Sequence, residues 1–203
     1  MRLILMRHGE TIWNAEQRLQ GHDNAPLSPR GIQQALGFKP MLASLNPKQV
    51  VSSDLGRCRE TVALIGHANA PADARLRELN MGVWTGRRKP DLITEYPDDY
   101  WAWRAGTFHP DGGESWQQFK GRVSGALRDW LKKADGDVLA VVHSGVIRAA
   151  MVALLGFTQD KILPVTPGTG TILNFDDLAS PYAKLEGYNI GLFAPQTAEA
   201  VAD

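Results

Sequence analysis

Four consecutive apolar residues, Leu3-Ile4-Leu5-Met6, run straight into Arg7-His8-Gly9. An unbroken apolar run of this length reads as a strand buried on both faces. A guanidinium and an imidazole at its end are costly to bury unless something there requires them. The pattern returns late in the chain, where the apolar run ending at Val142 is followed directly by His143. Between the two, Gln49-Val50-Val51-Ser52 reads as a further strand, and Ser53-Asp54 lies just past its end. Ligands of such sheets bind at the carboxyl ends of the strands. His8, Ser53-Asp54 and His143 are therefore candidates for one site, although they are far apart in sequence.

Helical segments separate these strands. Ser28-Pro29 offers an N-cap followed by proline at the first helical position, and Ile32, Ala35, Leu36 and Leu42 continue it despite Gly37. Asp54 reads as the N-cap of a helix running to about Ile65, with Arg57 in its first turn. Trp116, Phe119, Val123, Leu127 and Trp130 recur at helical spacing, which predicts one long amphipathic helix. Residues 146–155 form another helix, closed by Gly156, and 171–175 with 184–188 read as a late hairpin. Residues 81–113 break the pattern with Trp84, Trp101, Trp103 and three prolines, and read as an insertion covering one edge. The tail after Ala194 is small and polar and is expected to fray. The expected class is α/β, with a mostly parallel, helix-covered sheet in a single domain.

Composition narrows the function. Lys plus Arg and Asp plus Glu both number 22, so nothing favours a nucleic-acid or membrane-surface role. A small anion needs only a local cluster of cations and stays open. Cys58 is the sole cysteine, which removes a disulfide framework and a multi-cysteine metal site, and it reads as a small buried helix residue. No run resembles a signal peptide or a membrane span, so a reducing cytoplasm is the expected location.

Phosphoryl transfer explains the cluster. Catalysis there is mostly positioning and charge stabilisation, and arginine binds phosphate oxygens bidentately while staying charged. Arg7 and Arg57 supply two such groups, His143 a further donor with the backbone N–H groups around Ser144-Gly145, and Asn14 lies within reach of the same loop. His8, crowded by both arginines, resists protonation and can act as the nucleophile. Glu78 is the candidate acid and base. Each of these also has an ordinary reading: a structural histidine, an ion-paired arginine, a solvated carboxylate. His22, His67 and His109 read as surface residues. Arg87, Arg88 and the tryptophans of 81–113 read either as shaping the leaving-group side or as a solvated basic turn and core packing. A metallohydrolase drawn from His8, His143, Asp54 and Glu78 is disfavoured by the two arginines, and the serine-hydrolase elbow lacks its glycines around Ser144.

Arg7-His8-Gly9-Glu10-Thr11 with Trp13-Asn14 resembles the signature of the histidine phosphatase superfamily, in its phosphoglycerate mutase-like branch. The likeness continues through Gln20-Gly21, Pro26-Leu27-Ser28, Gly31, Ser52 to Arg57, Leu76 to Leu79, Gly82 to Gly86, Gly112 to Ser115 and Val142 to Arg148. The resemblance implies a three-layer α/β/α sandwich with a short helical cap insertion at 81–113. It implies a phosphorylated His8, a phosphate pocket of Arg7, Arg57 and His143, Glu78 as general acid, and substrate contacts from Asn14, Gln20, Gly21 and Ser144. It implies no metal and no cofactor. Many relatives carry glycine where this chain has Ser144, a change that keeps the backbone N–H. The expected activity is hydrolysis of a small phosphorylated metabolite, with a likeness to alpha-ribazole phosphatases; the alternatives are mutase-type phosphoryl transfer and a non-catalytic phospho-ligand module. Neither nucleic acid nor membrane is an expected partner, and a homodimer is left open.

Overall fold

The structure, a computed structural model, describes residues 1–158 and 164–193, so the expectation for the tail lies outside the described residues. The apolar runs form the strands. They are β1 (Arg2–Arg7), β2 (Gln49–Ser52), β3 (Val138–Val142), β4 (Gly170–Asn174) and β5 (Lys184–Ile190). The helices are α1 (Ile12–Ala15), α2 (Pro29–Leu45), α3 (Gly56–Leu64), α4 (Lys89–Glu95), α5 (Pro97–Ala105), α6 (Trp116–Lys133) and α7 (Ser144–Leu155). The sheet order is β2-β3-β1-β4-β5. β2, β3 and β1 are parallel, while β4 and β5 add antiparallel strands, so the sheet is mixed. The parallel part is the half that carries the site.

Period-two side-chain alternation on buried strands divides the core into two layers. Leu3, Leu5, Ala140 and Val142 pack against Phe119, Val123 and Leu127 of α6 and Ile147, Ala150 and Leu154 of α7. Ile4, Met6, Leu139 and Val141 face the other way, onto Ala35, Phe38 and Leu42 of α2 and Cys58 and Val62 of α3. The result is the three-layer α/β/α sandwich. Each fully buried large side chain of α6 contributes about 1.5–3 kcal/mol relative to exposure. A capping box fixes the start of α6, in which the Ser115 hydroxyl accepts from the Gln118 N–H. Among the described residues no helix is long and apolar enough to cross a membrane.

Strand register places the chemistry. Arg7 pairs with Val142 and Ser52 with Val141, so His8, His143 and Ser53 emerge side by side one residue past the strand ends. The His8 N–H donates to the Val142 carbonyl at 2.9 Å, extending the ladder into the loop. The segment 81–113 holds two short helices, α4 and α5, each with proline in its first turn, and α5 ends on left-handed Gly106. Trp84 is buried there against Tyr100, Trp103 and Phe108, while Trp101 is exposed.

Asp54 is not the cap of α3. Leu55 occupies that position, and the first donors of the helix are met elsewhere: the Leu55 N–H by Ser53 Oγ and the Gly56 N–H by Asn24 Oδ1. Asp54 is thereby released to take both oxygens to the Arg77 guanidinium, at 2.8 and 2.6 Å. Arg57 still falls in the first turn, as the pattern required.

The loop after β1 lies directly on the start of α2, and two glycines allow it. A Cβ on Gly9 would come within 2.3 Å of the Gly31 carbonyl oxygen, and one on Gly31 within 1.9 Å of the Glu10 carbonyl oxygen. Both obstacles are backbone, so neither can step aside. Gly31→Ala is therefore expected to lose roughly 1–3 kcal/mol of stability despite alanine's better helix propensity. Urea unfolding checks this, and a variant as stable as the parent would contradict the close approach.

Candidate active site

His8 is almost wholly buried, and its ring is fixed by one bond, Nδ1–H donating to the Gly9 carbonyl at 2.7 Å. A carbonyl can only accept, so the proton sits on Nδ1 and the lone pair on Nε2. Burial, then the positive charges of Arg57 and Arg7, hold this imidazole well below the ordinary histidine value. Neutral at pH 7 with a bare Nε2, it has the state a nitrogen nucleophile requires.

Arg57 is buried at 1 % exposure. Its Nε donates to His143 Nδ1 at 3.2 Å, Nη1 to the Asp23 carbonyl at 2.7 Å and Nη2 to the Gly21 carbonyl at 2.9 Å. These acceptors are all uncharged, so they orient the guanidinium without neutralising it. His143 must accept at Nδ1, which leaves its proton on Nε2, donated to Ser53 Oγ at 2.9 Å. Burial and then Arg57 push His143 well below its usual range as well. The two imidazoles meet edge to face, with centroids 5.2 Å apart. Cys58 Sγ lies 3.5 Å from His143 Nε2, and burial pushes its thiol up to about 12, which keeps it protonated and inert. Arg7 reaches back to the Val165 carbonyl through Nη1.

Glu78 comes from the loop before α4. Its Oε1 accepts the Leu79 N–H at 2.9 Å and its Oε2 the Gly145 N–H at 3.1 Å, at the start of α7. Gly145 is required for this: a Cβ there would sit 2.2 Å from Glu78 Oε1. The Gly145 N–H expected to face a phosphate is thus engaged by Glu78. Asn14 caps α1 with its Oδ1, which accepts from the Thr11 N–H and hydroxyl, leaving its NH2 as the end available to a ligand. Gln20 is buried, and its Oε1 has no hydrogen-bond partner among the described residues. Gly21 adopts a left-handed φ of 51° that presents its carbonyl to Arg57.

All nine sequence-predicted residues lie in or against one cleft of about 830 Å3, measured out to its open mouth; His143 sits behind its wall, and the others line it. Sequence reasoning missed further lining residues, Arg18, Lys89, Arg104, Arg148 and Trp116, whereas Trp103 is one of the tryptophans of 81–113 that it offered for the leaving-group side. Among the described residues six basic side chains line the cleft against one carboxylate, Glu78. Arg148 had a readable signal, since it falls four residues after Ser144 on the same face of α7. Lys89 and Arg104 had none, because each belongs to a cap helix whose placement depends on tertiary packing. Arg87 and Arg88 do not line the cleft; Arg87 pairs with Glu95 at 2.7 Å, and Arg88 is the residue preceding α4. His109 is exposed as expected, but His22 is half-buried and donates through Nε2 to the Glu78 carbonyl at 3.0 Å.

The family model for the histidine phosphatase superfamily, branch 1, matches residues 3–183. The chain belongs to that superfamily. A probable phosphoglycerate mutase GpmB of Citrobacter koseri is 39% identical over 165 residues, covering 76% of this chain and 74% of the relative. Among solved structures, a mycobacterial glucosyl-3-phosphoglycerate phosphatase complexed with VO3 superposes with a TM-score of 0.85 at 29% identity, covering 93% of this chain and 98% of that one. The alpha-ribazole phosphatase of Shigella flexneri gives 0.81 at 28% identity, covering 94% and 96%.

The buried imidazoles link the site to stability. His8 and His143 are held neutral when folded, whereas in the unfolded chain they titrate near 6.5. Below that pH the unfolded state binds more protons, so stability is complete above about 6.5 and falls as the pH drops through it, by about 1.4 kcal/mol per pH unit for each histidine. Urea unfolding between pH 7.5 and 5.5 should show this slope, and His143→Gln should flatten it. A slope identical in parent and variant would place the proton uptake elsewhere.

Proposed function

We propose that this chain is a phosphomonoesterase that hydrolyses a small phosphorylated metabolite through a phosphohistidine on His8. The observation that carries the reading is the state of His8: buried, neutral, with the Nε2 lone pair bare, beside two guanidinium groups and in one cleft with Glu78. In the first step Nε2 attacks phosphorus and the ester P–O bond breaks. The Glu78 carboxyl group gives its proton to the departing oxygen. In the second step the Glu78 carboxylate takes a proton from water, the water oxygen attacks phosphorus, and the N–P bond breaks, returning its electrons to Nε2. Arg7 and Arg57 counter the charge on the phosphoryl oxygens, and His143 keeps Arg57 aimed. Gln20 and the Asn14 NH2 contact the substrate. The similarity to two named phosphatase structures supports hydrolysis as the outcome.

A second reading, mutase-type transfer back to another substrate hydroxyl, is favoured by the names of the curated relatives. Phosphorus NMR on a panel that includes phosphoglycerates and alpha-ribazole phosphate separates the two, since hydrolysis releases inorganic phosphate and transfer gives a positional isomer.

His8→Ala is expected to lower p-nitrophenyl phosphate turnover by roughly 10⁴-fold or more while the protein stays folded. Unchanged turnover would remove His8 from the reaction. Glu78→Gln should slow alkyl phosphates by about 10²–10⁴-fold and p-nitrophenyl phosphate far less, because a good leaving group needs little protonation. Equal losses on both would take Glu78 out of the acid role. EDTA should leave turnover unchanged; an activity lost to EDTA and restored by a divalent ion would replace this mechanism with a metal-assisted one.

A further inference from the structure

The Gly112-Gly113-Glu114-Ser115 block has no part in the steps above, yet it connects to the acid. Glu114 lies just before the N-cap of α6, and both of its oxygens accept from Arg122, Oε1 from Nε and Oε2 from Nη2, each at 2.7 Å. Arg122 lies nearly two turns along the same helix. Its remaining donors leave the helix entirely. Nη1 donates to the Arg75 carbonyl at 2.9 Å and the Arg77 carbonyl at 2.8 Å, and Nη2 to the Glu78 carbonyl at 2.9 Å. A guanidinium has five N–H groups, and these five bonds use them all. The guanidinium carbon also stands 4.8 Å from the centroid of the Phe119 ring, a residue that lines the cleft.

The loop so gripped is 75–78, the segment that delivers Glu78. It has no strand partner of its own, since Ala74–Leu76 is a single helical turn and Arg77 is extended. Besides Arg122, its path is set by Leu76 packing, the Arg77–Asp54 pair and the Arg75–Asp129 pair. The Glu78 carbonyl takes a second donor from His22 Nε2. The backbone of the acid is therefore held from two sides, and its carboxylate by the Leu79 and Gly145 N–H groups.

We propose that Arg122, oriented by Glu114, is a positioning residue for the general acid: it fixes the Glu78 peptide so that the carboxyl group meets the leaving oxygen. The inference rests on Glu78 being that acid. A misplacement of about 1 Å costs on the order of 10²-fold in proton transfer, and only a substrate that needs the proton registers it. A merely structural role would instead slow all substrates alike.

The test compares an alkyl monoester, glycerol 1-phosphate, with p-nitrophenyl phosphate for the parent, Arg122→Lys, Glu114→Gln, Glu78→Gln and the double variant Glu78→Gln/Arg122→Lys. Lysine keeps the charge but cannot span three carbonyls and a carboxylate. Arg122→Lys should lose roughly 10–100-fold in kcat/KM on glycerol phosphate and under about threefold on p-nitrophenyl phosphate. Once Glu78 is gone, adding Arg122→Lys should cost nothing more on the alkyl ester. Should circular dichroism show Arg122→Lys unfolded, the near-isosteric Glu114→Gln carries the same comparison, with the same selectivity and a smaller loss. Equal losses on both esters, or additive losses in the double variant, overturn the proposal. If Glu78→Gln is selective for the alkyl ester and Arg122→Lys is not, the clamp alone fails. If Glu78→Gln is itself unselective, the acid assignment fails and the clamp with it.

Discussion

One buried charge organises this protein. The Arg57 guanidinium is almost entirely out of water, and its mapped bonds run to two carbonyls and an imidazole nitrogen. Those bonds offset part of the desolvation cost and fix direction, but they leave the positive charge unneutralised. That charge bears on His8, His143 and Cys58, and Arg7 adds to it at the two imidazoles. It helps hold His8 and His143 neutral, and it makes an anion the natural completion of the cleft. The same feature leaves His8 with a bare lone pair beside a cationic seat.

Geometry follows from parallel register. Because Arg7 pairs with Val142 and Ser52 with Val141, three strand ends deliver His8, His143 and Ser53 to adjacent places. A chain of bonds then runs from Ser53 through His143 to Arg57 and fixes the tautomer of His143 as Nε2–H. Two further elements arrive from outside the sheet. The start of α7 receives the Glu78 carboxylate because Gly145 has no side chain, and the start of α2 receives the loop after His8 because Gly31 has none. The glycines of the motifs are thus places where backbone and reactive groups come closer than a Cβ permits.

How much of this was legible in sequence depends on how local the cause is. The strands and the long helix were readable because unbroken or periodic apolar runs are local facts, and the candidate residues were readable because they follow those runs. The cap of α3 is not a local fact: Asp54 has the right chemistry for a cap, but Arg77, 23 residues later, offers it a bidentate partner, and Ser53 and Asn24 serve the helix instead. His22 reads as a surface group in sequence because nothing nearby shows that it meets the Glu78 carbonyl. The basic outer wall was invisible for the same reason. Lys89 and Arg104 join Arg18 and Arg148 only after two proline-started cap helices fold over the cleft, whereas the adjacent Arg87 turns to Glu95.

The central claim is that a bare Nε2 on His8 takes the phosphoryl group. The most direct test is to mix enzyme and substrate, quench under denaturing alkaline conditions that preserve N–P bonds, and map the peptides by mass. The account predicts one added phosphoryl group, on His8, that is lost on acid treatment. A phosphoryl group on any other residue, or turnover with no adduct trapped at any time point, would contradict it.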